Sequence, residues 1–179
     1  MFRATPEERR RSAPPLDAAA LERLALRYVE RFATTRGRLS AYLTRKIRER
    51  GWDGDPADPA ALAERLADLG YIDDRAFGEA RAGAMLRRGL GRRRVAGALR
   101  ADGIGEEDAA AIAPTVAAGA HAAALAFARR RRIGPFATDI ADRPLREKQI
   151  AAMIRAGHDI DIARKIVKMV PGEGLEEPD

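Results

Sequence analysis

Apolar residues recur along this chain at intervals of three and four, the spacing that places side chains on one face of an α-helix. Leu21, Leu24, Ala25, Tyr28, Val29 and Phe32 form the first such stripe. Leu39, Tyr42, Leu43 and Ile47 form a second, and Leu62, Leu66 and Leu69 a third. Phe77, Ala80, Ala84 and Met85 follow, then Val95, Ala98 and Leu99. A short stripe around Ile112 is expected to stop at Pro114, whose ring cannot continue a helix. Val116, Ala120, Ala123, Ala124 and Phe127 make the next, then Leu145, Ala152 and Met153. Ile162, Ile166, Met169 and Val170 close the series. The pattern predicts nine helices and no strand, an all-α chain. Residues 1–16, with Pro6, Pro14 and Pro15 among charges, read as a disordered arm, and residues 171–179 as an acidic, frayed tail.

The helices group in threes. A glycine follows the second helix of each trio, in Gly51-Trp52, Gly103-Ile104 and Gly157-His158, at intervals of 52 and 54 residues. A glycine there suits a left-handed position just past a helix end, and the next residue can pack back on the helix. Ile47, Leu99 and Met153 each stand four residues before it. Leu43, Val95 and the exception Gln149 stand eight before, and Tyr42, Arg94 and Lys148 nine before. This self-similarity predicts a tandem array of three-helix repeats over residues 17–70, 71–114 and 115–170. Three unrelated helix–Gly–helix turns are the other reading of the same residues.

Composition supports helix. Aromatics are 5% of the chain and charged residues 34%, so alanine and leucine must supply most of the core. The net charge is +6, attractive to nucleic acid, acidic protein or anionic membrane alike. Lysine is confined to Lys46, Lys148, Lys165 and Lys168; every other cation is arginine, whose fork suits phosphate and carboxylate, although GC-rich coding raises arginine and alanine together. With no cysteine, disulfide, thiolate and cysteine-ligated metal chemistry are excluded. The charged start is no secretory signal, and the alanine-rich run from Thr115 to Ala128 is too short to cross a bilayer, so a cytoplasmic address is expected.

Catalytic equipment is sparse. The only serines are Ser12 and Ser40, and two distant histidines, His121 and His158, make a poor metal site. No phosphate-cradling glycine loop is present, since Gly89-Leu90-Gly91 lacks a third glycine and a preceding strand. Asp73-Asp74, Glu106-Glu107, Asp159 and Asp161 sit at predicted helix starts, where capping and the helix dipole explain them. No enzyme, cofactor, metal or small-molecule substrate is expected. The basic clusters are the candidates for function: Arg87, Arg88, Arg92, Arg93 and Arg94 around a turn, and Arg129, Arg130, Arg131 and Arg132 at a helix end. Arg36, Arg38, Arg45, Lys46, Arg48 and Arg50 decorate the second helix. Trp52, Tyr71 and the phenylalanines fit core or turn positions, so no platform for base stacking is expected.

One stretch is more specific. Gly70-Tyr71-Ile72-Asp73-Asp74 ends one helix and starts the next, with Tyr71 and Ile72 plugging the junction and Phe77 the first anchor beyond it. Arg87, Gly89, Arg92, Val95, Leu99 and Gly103-Ile104 follow at fixed spacing. This block resembles the central signature of the RecX regulatory family, bacterial modulators of the RecA recombinase. The likeness is colinear over roughly residues 20–170. Leu21–Trp52 is similar to the family's opening helix pair, and Phe127–Arg132 with Lys148–Val167 to its third unit. Gly78 and Gly83 depart from the pattern and are expected to weaken their helix by up to about 1 kcal/mol each. The resemblance implies an elongated, curved array of three tandem three-helix repeats. It also implies binding to the RecA–single-stranded-DNA filament and restraint of ATP hydrolysis, strand exchange and co-protease activity. The arginine clusters and Lys148 would then face RecA or DNA, without sequence specificity, from a monomer with no membrane partner. A stand-alone helix-turn-helix DNA-binding regulator is the alternative that the helix–Gly–helix turns permit.

Overall fold

The computed structural model describes residues 14–174, so the arm before Pro14, Ser12 included, and the last five residues of the acidic tail lie outside the described residues. Nine α-helices and one 3₁₀ turn are found among them, and no strand. The chain divides at Asp73/Asp74 into two compact units.

The first unit holds α1 (Ala18–Arg31), α2 (Arg36–Arg50) and α3 (Pro59–Asp68). Each start is capped by a side-chain oxygen that takes up an orphan N–H: Asp17 accepts from Ala20, Thr35 from Arg38, and Asp58 from Ala60 and Ala61. Leu21, Ala25, Leu39, Leu43, Ala63 and Leu66 form the core, joined by Leu16 and Ile72. Leu16 corrects the expectation of a disordered arm through residue 16. It is fully buried, its N–H bonds the Gly51 carbonyl at 3.0 Å, and its own carbonyl accepts from Asp53 at 2.9 Å. Two stripe residues prove exposed, Phe32 and Leu69, because α1 and α3 end before the stripe does. Tyr71 is 52% exposed, so Ile72 alone fills the junction that both were expected to plug.

The second unit holds α4 (Asp74–Arg87), α5 (Arg92–Ala101), α6 (Glu106–Ala118), α7 (Ala120–Arg131), a 3₁₀ turn (Gly134–Phe136), α8 (Arg143–Arg155) and α9 (Ile160–Lys168). Two clusters of buried side chains fill it. Ala82, Met85, Val95, Leu99, Ile104, Ile112 and Val116 serve α4–α6. Phe127, Ile133, Met153, Ile166 and Val167, with small alanines, serve α7–α9. Thus each trio of helices in the chain owns one cluster of buried residues.

Helix α6 does not end at Pro114; it runs on to Ala118. Proline removes the donor to the carbonyl of Ala110, and Ala110 and Pro114 are both exposed, on a face where solvent can take up that carbonyl. The break comes at Gly119, after which α7 sets off at 58°. Val116 accordingly belongs with α4–α6 rather than with the following helix. On α4 the buried face is Asp74, Gly78, Ala82 and Met85, while Ala80 is exposed. Gly78 is there for space: a Cβ would lie 2.5 Å from Ile112 Cδ1. Leu145 and Val170, at the ends of their stripes, are exposed.

The glycines after the trios' second helices have φ of +85° at Gly51, +76° at Gly103 and +94° at Gly157. At Gly103 and Gly157 the turn closes with two backbone bonds. Gly103 and Ile104 donate to Arg100 and Leu99, and Gly157 and His158 donate to Ile154 and Met153. Ile104 and His158 then pack back, both buried, and Trp52 is half-buried.

Candidate functional site

The arginine-rich stretch between α4 and α5 is first of all a structural joint. At Gly89, with φ +70°, α4 closes through Gly89 N–H to Leu86 and Leu90 N–H to Met85. A Cβ on Gly89 would come within 2.7 Å of both the Phe127 nitrogen and Arg130 Nη2, so the turn is seated directly on α7. The Gly89 carbonyl accepts from His158 Nε2 at 3.1 Å, which fixes the proton of the neutral ring on Nε2. His158 also sets its edge against Phe127, with centroids 5.4 Å apart. Burial pushes the His158 imidazole below its ordinary range, against smaller upward pulls from the Gly89 carbonyl and Asp159.

Helix α5 has no side-chain cap. Its donors go instead to the end of α8: Gly91 N–H bonds the Ala156 carbonyl at 2.9 Å and Arg93 N–H the Gly157 carbonyl at 3.2 Å. The orphan donors of one helix start thereby satisfy the orphan acceptors of another helix end. The approach is so close that a Cβ on Gly91 would stand 2.2 Å from the Gly157 carbonyl carbon.

This joint sorts the predicted arginines. Arg92 Nε pairs with Asp159 at 2.7–2.9 Å, and Arg94 Nε donates to the Arg155 carbonyl at 3.0 Å. Both therefore have structural duties, and Asp159 serves Arg92 rather than capping α9, where no side-chain cap bond forms. Arg87, Arg88 and Arg93 are exposed and form no ion pair among the described residues. Arg93 is notable because a cation in the first turn of a helix opposes the macrodipole; it lines a surface hollow with Asp159 and Asp161 without pairing to either. Arg130 is brought beside the Arg87–Arg88 turn through Gly89, which joins two clusters that are forty residues apart in sequence. Arg129 lies over Phe136, Arg131 over Phe127, each about 5–6 Å from the ring centre. Arg132 occupies a left-handed conformation, φ 53° and ψ 52°, where the other comparable turns use glycine. Lys148 is exposed on α8, eight residues or about 12 Å along the axis from Ala156. Many cations on α2 are taken up: Arg36 by Glu64, Lys46 by Glu49, and Arg50 by the Pro14 carbonyl.

Beside the joint, α5 and α6 leave a cleft of about 860 Å³ with Val95, Leu99, Ile104 and Val116 at its base. Arg92, Arg93 and Arg100 line one side of it, and Glu106 is its one acid. It holds no converging pair of acid and base groups. No group of three or more metal-ligating side chains occurs among the described residues, His121 is exposed, and no single described helix is long and apolar enough to cross a membrane.

Of the aromatic residues on the first two stripes, Tyr28 and Tyr42 pack half-buried against the core as expected, stacked on each other at 4.4 Å between ring centroids, and only Phe32 departs from expectation by lying exposed beside Tyr28. Periodicity alone assigns Tyr28 and Phe32, one turn apart, to the same buried face.

No family model matches the chain. Curated relatives do. It is 32% identical over 163 residues to the regulatory protein RecX of Myxococcus xanthus, covering 84% of this chain and 86% of that one. It is 29% identical over 153 residues to the regulatory protein RecX of Agrobacterium fabrum, covering 83% and 82%. Among solved structures, RecX from Lactobacillus salivarius matches with a TM-score of 0.62 at 19% identity, over 84% of this chain and 94% of that one, a likeness of fold. With a relative this similar over most of both lengths, and with the signature block from Gly70 to Ile104 in place, the chain belongs to the RecX family of regulatory proteins.

Proposed function

We propose that this protein binds the RecA–single-stranded-DNA filament and negatively modulates it, slowing ATP hydrolysis, strand exchange and co-protease activity, while catalysing nothing itself. Membership of the RecX family carries the reading. The placement of the arginines supports it. Arg92 and Arg94 hold α5 to α8, and Arg87, Arg88, Arg93 and Arg129–Arg132 remain to face a polyanionic partner. Two of them, Arg93 and Arg132, sit where helix stability alone favours another residue, the pattern expected when a side chain is kept for binding. The contact with DNA is with backbone rather than base edges, so it is without sequence specificity. The protein acts as a cytoplasmic monomer, with no cofactor and no small-molecule substrate.

The test is ATP hydrolysis by RecA on single-stranded DNA. Sub-stoichiometric amounts of this protein are expected to slow it. The triple variant Arg87→Glu, Arg88→Glu, Arg93→Glu is expected to lose that effect without unfolding, since none of the three guanidiniums holds the joint. Undiminished hydrolysis at saturating wild-type protein would discard the reading, and tight sequence-specific duplex binding without RecA would replace it with a stand-alone DNA-binding regulator.

A further inference from the structure

The first unit carries an aromatic and cationic patch in which Tyr28 and Tyr42 pack against the core and Phe32 is left exposed. Tyr28 and Tyr42 lie nearly parallel, with 26° between ring planes, and Phe32 continues the series at 5.3 Å and 52° from Tyr28. The series runs outward from the core. Tyr28 and Tyr42 are half-buried, and Phe32, the residue that ends α1, is 49% exposed. Cations flank it on both helices. Arg31 Cζ lies 5.4 Å from the Phe32 ring centre, and Arg45 Cζ and Lys46 Nζ lie 5.5 and 5.9 Å from that of Tyr42. Arg27, exposed, stands one turn before Arg31. Glu49 takes up Lys46 at 2.6 Å and reaches Arg45 only at 3.6 Å.

A single exposed phenylalanine needs no explanation. A stacked tyrosine pair with an exposed, tilted phenylalanine beside it, flanked by guanidiniums, is different, because it offers a flat π-face and positive charge side by side. That combination matches a strand of flat bases joined by phosphates. In a duplex the bases are already stacked on one another, and an acidic peptide offers no such faces. We propose that this patch is a base-stacking site for single-stranded nucleic acid: Phe32 takes a base on its open face, beside the Tyr28–Tyr42 pair that supports it, and Arg31 and Arg45 take the flanking phosphates. This goes beyond the filament reading, which does not require the chain itself to stack on bases, and it is tested without RecA, so the two fail separately.

The full-length chain is titrated at low salt against an end-labelled oligothymidylate of about twenty nucleotides and against an abasic strand of equal charge. Fluorescence anisotropy reads the binding. Oligothymidylate is expected to bind more tightly than the abasic strand. Phe32→Ala is expected to weaken oligothymidylate about tenfold and leave the abasic strand unaffected, Phe32→Trp to restore binding, and Arg31→Glu to weaken both. An oligouridylate of the same length, titrated in parallel, assigns the site to DNA or RNA by the tighter complex. Equal wild-type affinity for the base-bearing and abasic strands would overturn the proposal. So would a Phe32→Ala protein, folded by circular dichroism, that binds oligothymidylate like the wild type.

Discussion

Gly91 has no room for a side chain. Its missing Cβ would sit 2.2 Å from the Gly157 carbonyl carbon, in backbone that cannot swing aside. Gly91→Ala is expected to destabilise the protein by about 2 kcal/mol or more, through forced separation of α5 from α8. Gly97, in the same helix, has open space around it and ordinary helical φ. Gly97→Ala is expected to stabilise by about 0.5–1 kcal/mol through helix propensity and a stiffer unfolded chain. Denaturant titration of the two variants checks the contrast, and equal effects would refute this account of the joint. At His158 the prediction concerns pH. In the unfolded chain the imidazole charges as pH falls through about 6.5, whereas the folded chain holds it neutral to lower pH because burial disfavours the charge. The unfolded state therefore binds more protons in that window, and stability falls as pH drops below about 6.5 toward the depressed folded value. Acidification from about pH 7.5 to about pH 5.5 should lower the melting temperature more in the wild type than in His158→Gln, whose amide still donates to Gly89. Equal losses would remove His158 from the linkage.

Among the elements, helix ends were the most legible part of the sequence. Glycine has a stereochemical reason at Gly70, Gly89, Gly103 and Gly157, all with positive φ, and each closes its helix with the same pair of backbone bonds. What the sequence hid are contacts that no local rule encodes. Pro114 reads as a stop, yet its lost bond faces water and the helix continues. Leu16 follows two prolines and reads as arm, yet it is fully buried. Alanine-rich α4 carries little amphipathic contrast, and of its expected stripe only Met85 is buried, whereas on α7 the expected Ala120, Ala123, Ala124 and Phe127 do lie on the buried face. In the candidate site, the arginine clusters were visible as charge. The division into Arg92 and Arg94, which brace the joint, and Arg87, Arg88 and Arg93, which do not, required the approach of α5 to α8. Arg132 shows the same tension within one element. A left-handed non-glycine residue costs about 1–2 kcal/mol, so Arg132→Gly is expected to raise stability by roughly 1 kcal/mol and to weaken the effect on RecA. Thermal denaturation paired with the ATPase assay reads both, and a variant that gains stability with undiminished inhibition would show that Arg132 is not kept for binding.

Across the described residues the chain is all-α, three clusters of buried side chains fill its two units, and the net charge of the sequence is +6. Family membership makes that scaffold one of the RecX regulatory proteins. In the proposed function, arginines left over from structural work would supply the charge for a polyanionic fibre, and that attraction should weaken with salt, by a slope of about −0.7 per phosphate neutralised on single strands. The proposed function thus rests on surface arginines that the packed helices hold in place. Electron microscopy of RecA filaments assembled on single-stranded DNA, with and without this protein, tests that claim most directly. The account predicts protein bound to the filaments and a population of shorter ones. Filaments unchanged in length and bare of the protein at saturating concentration would contradict it.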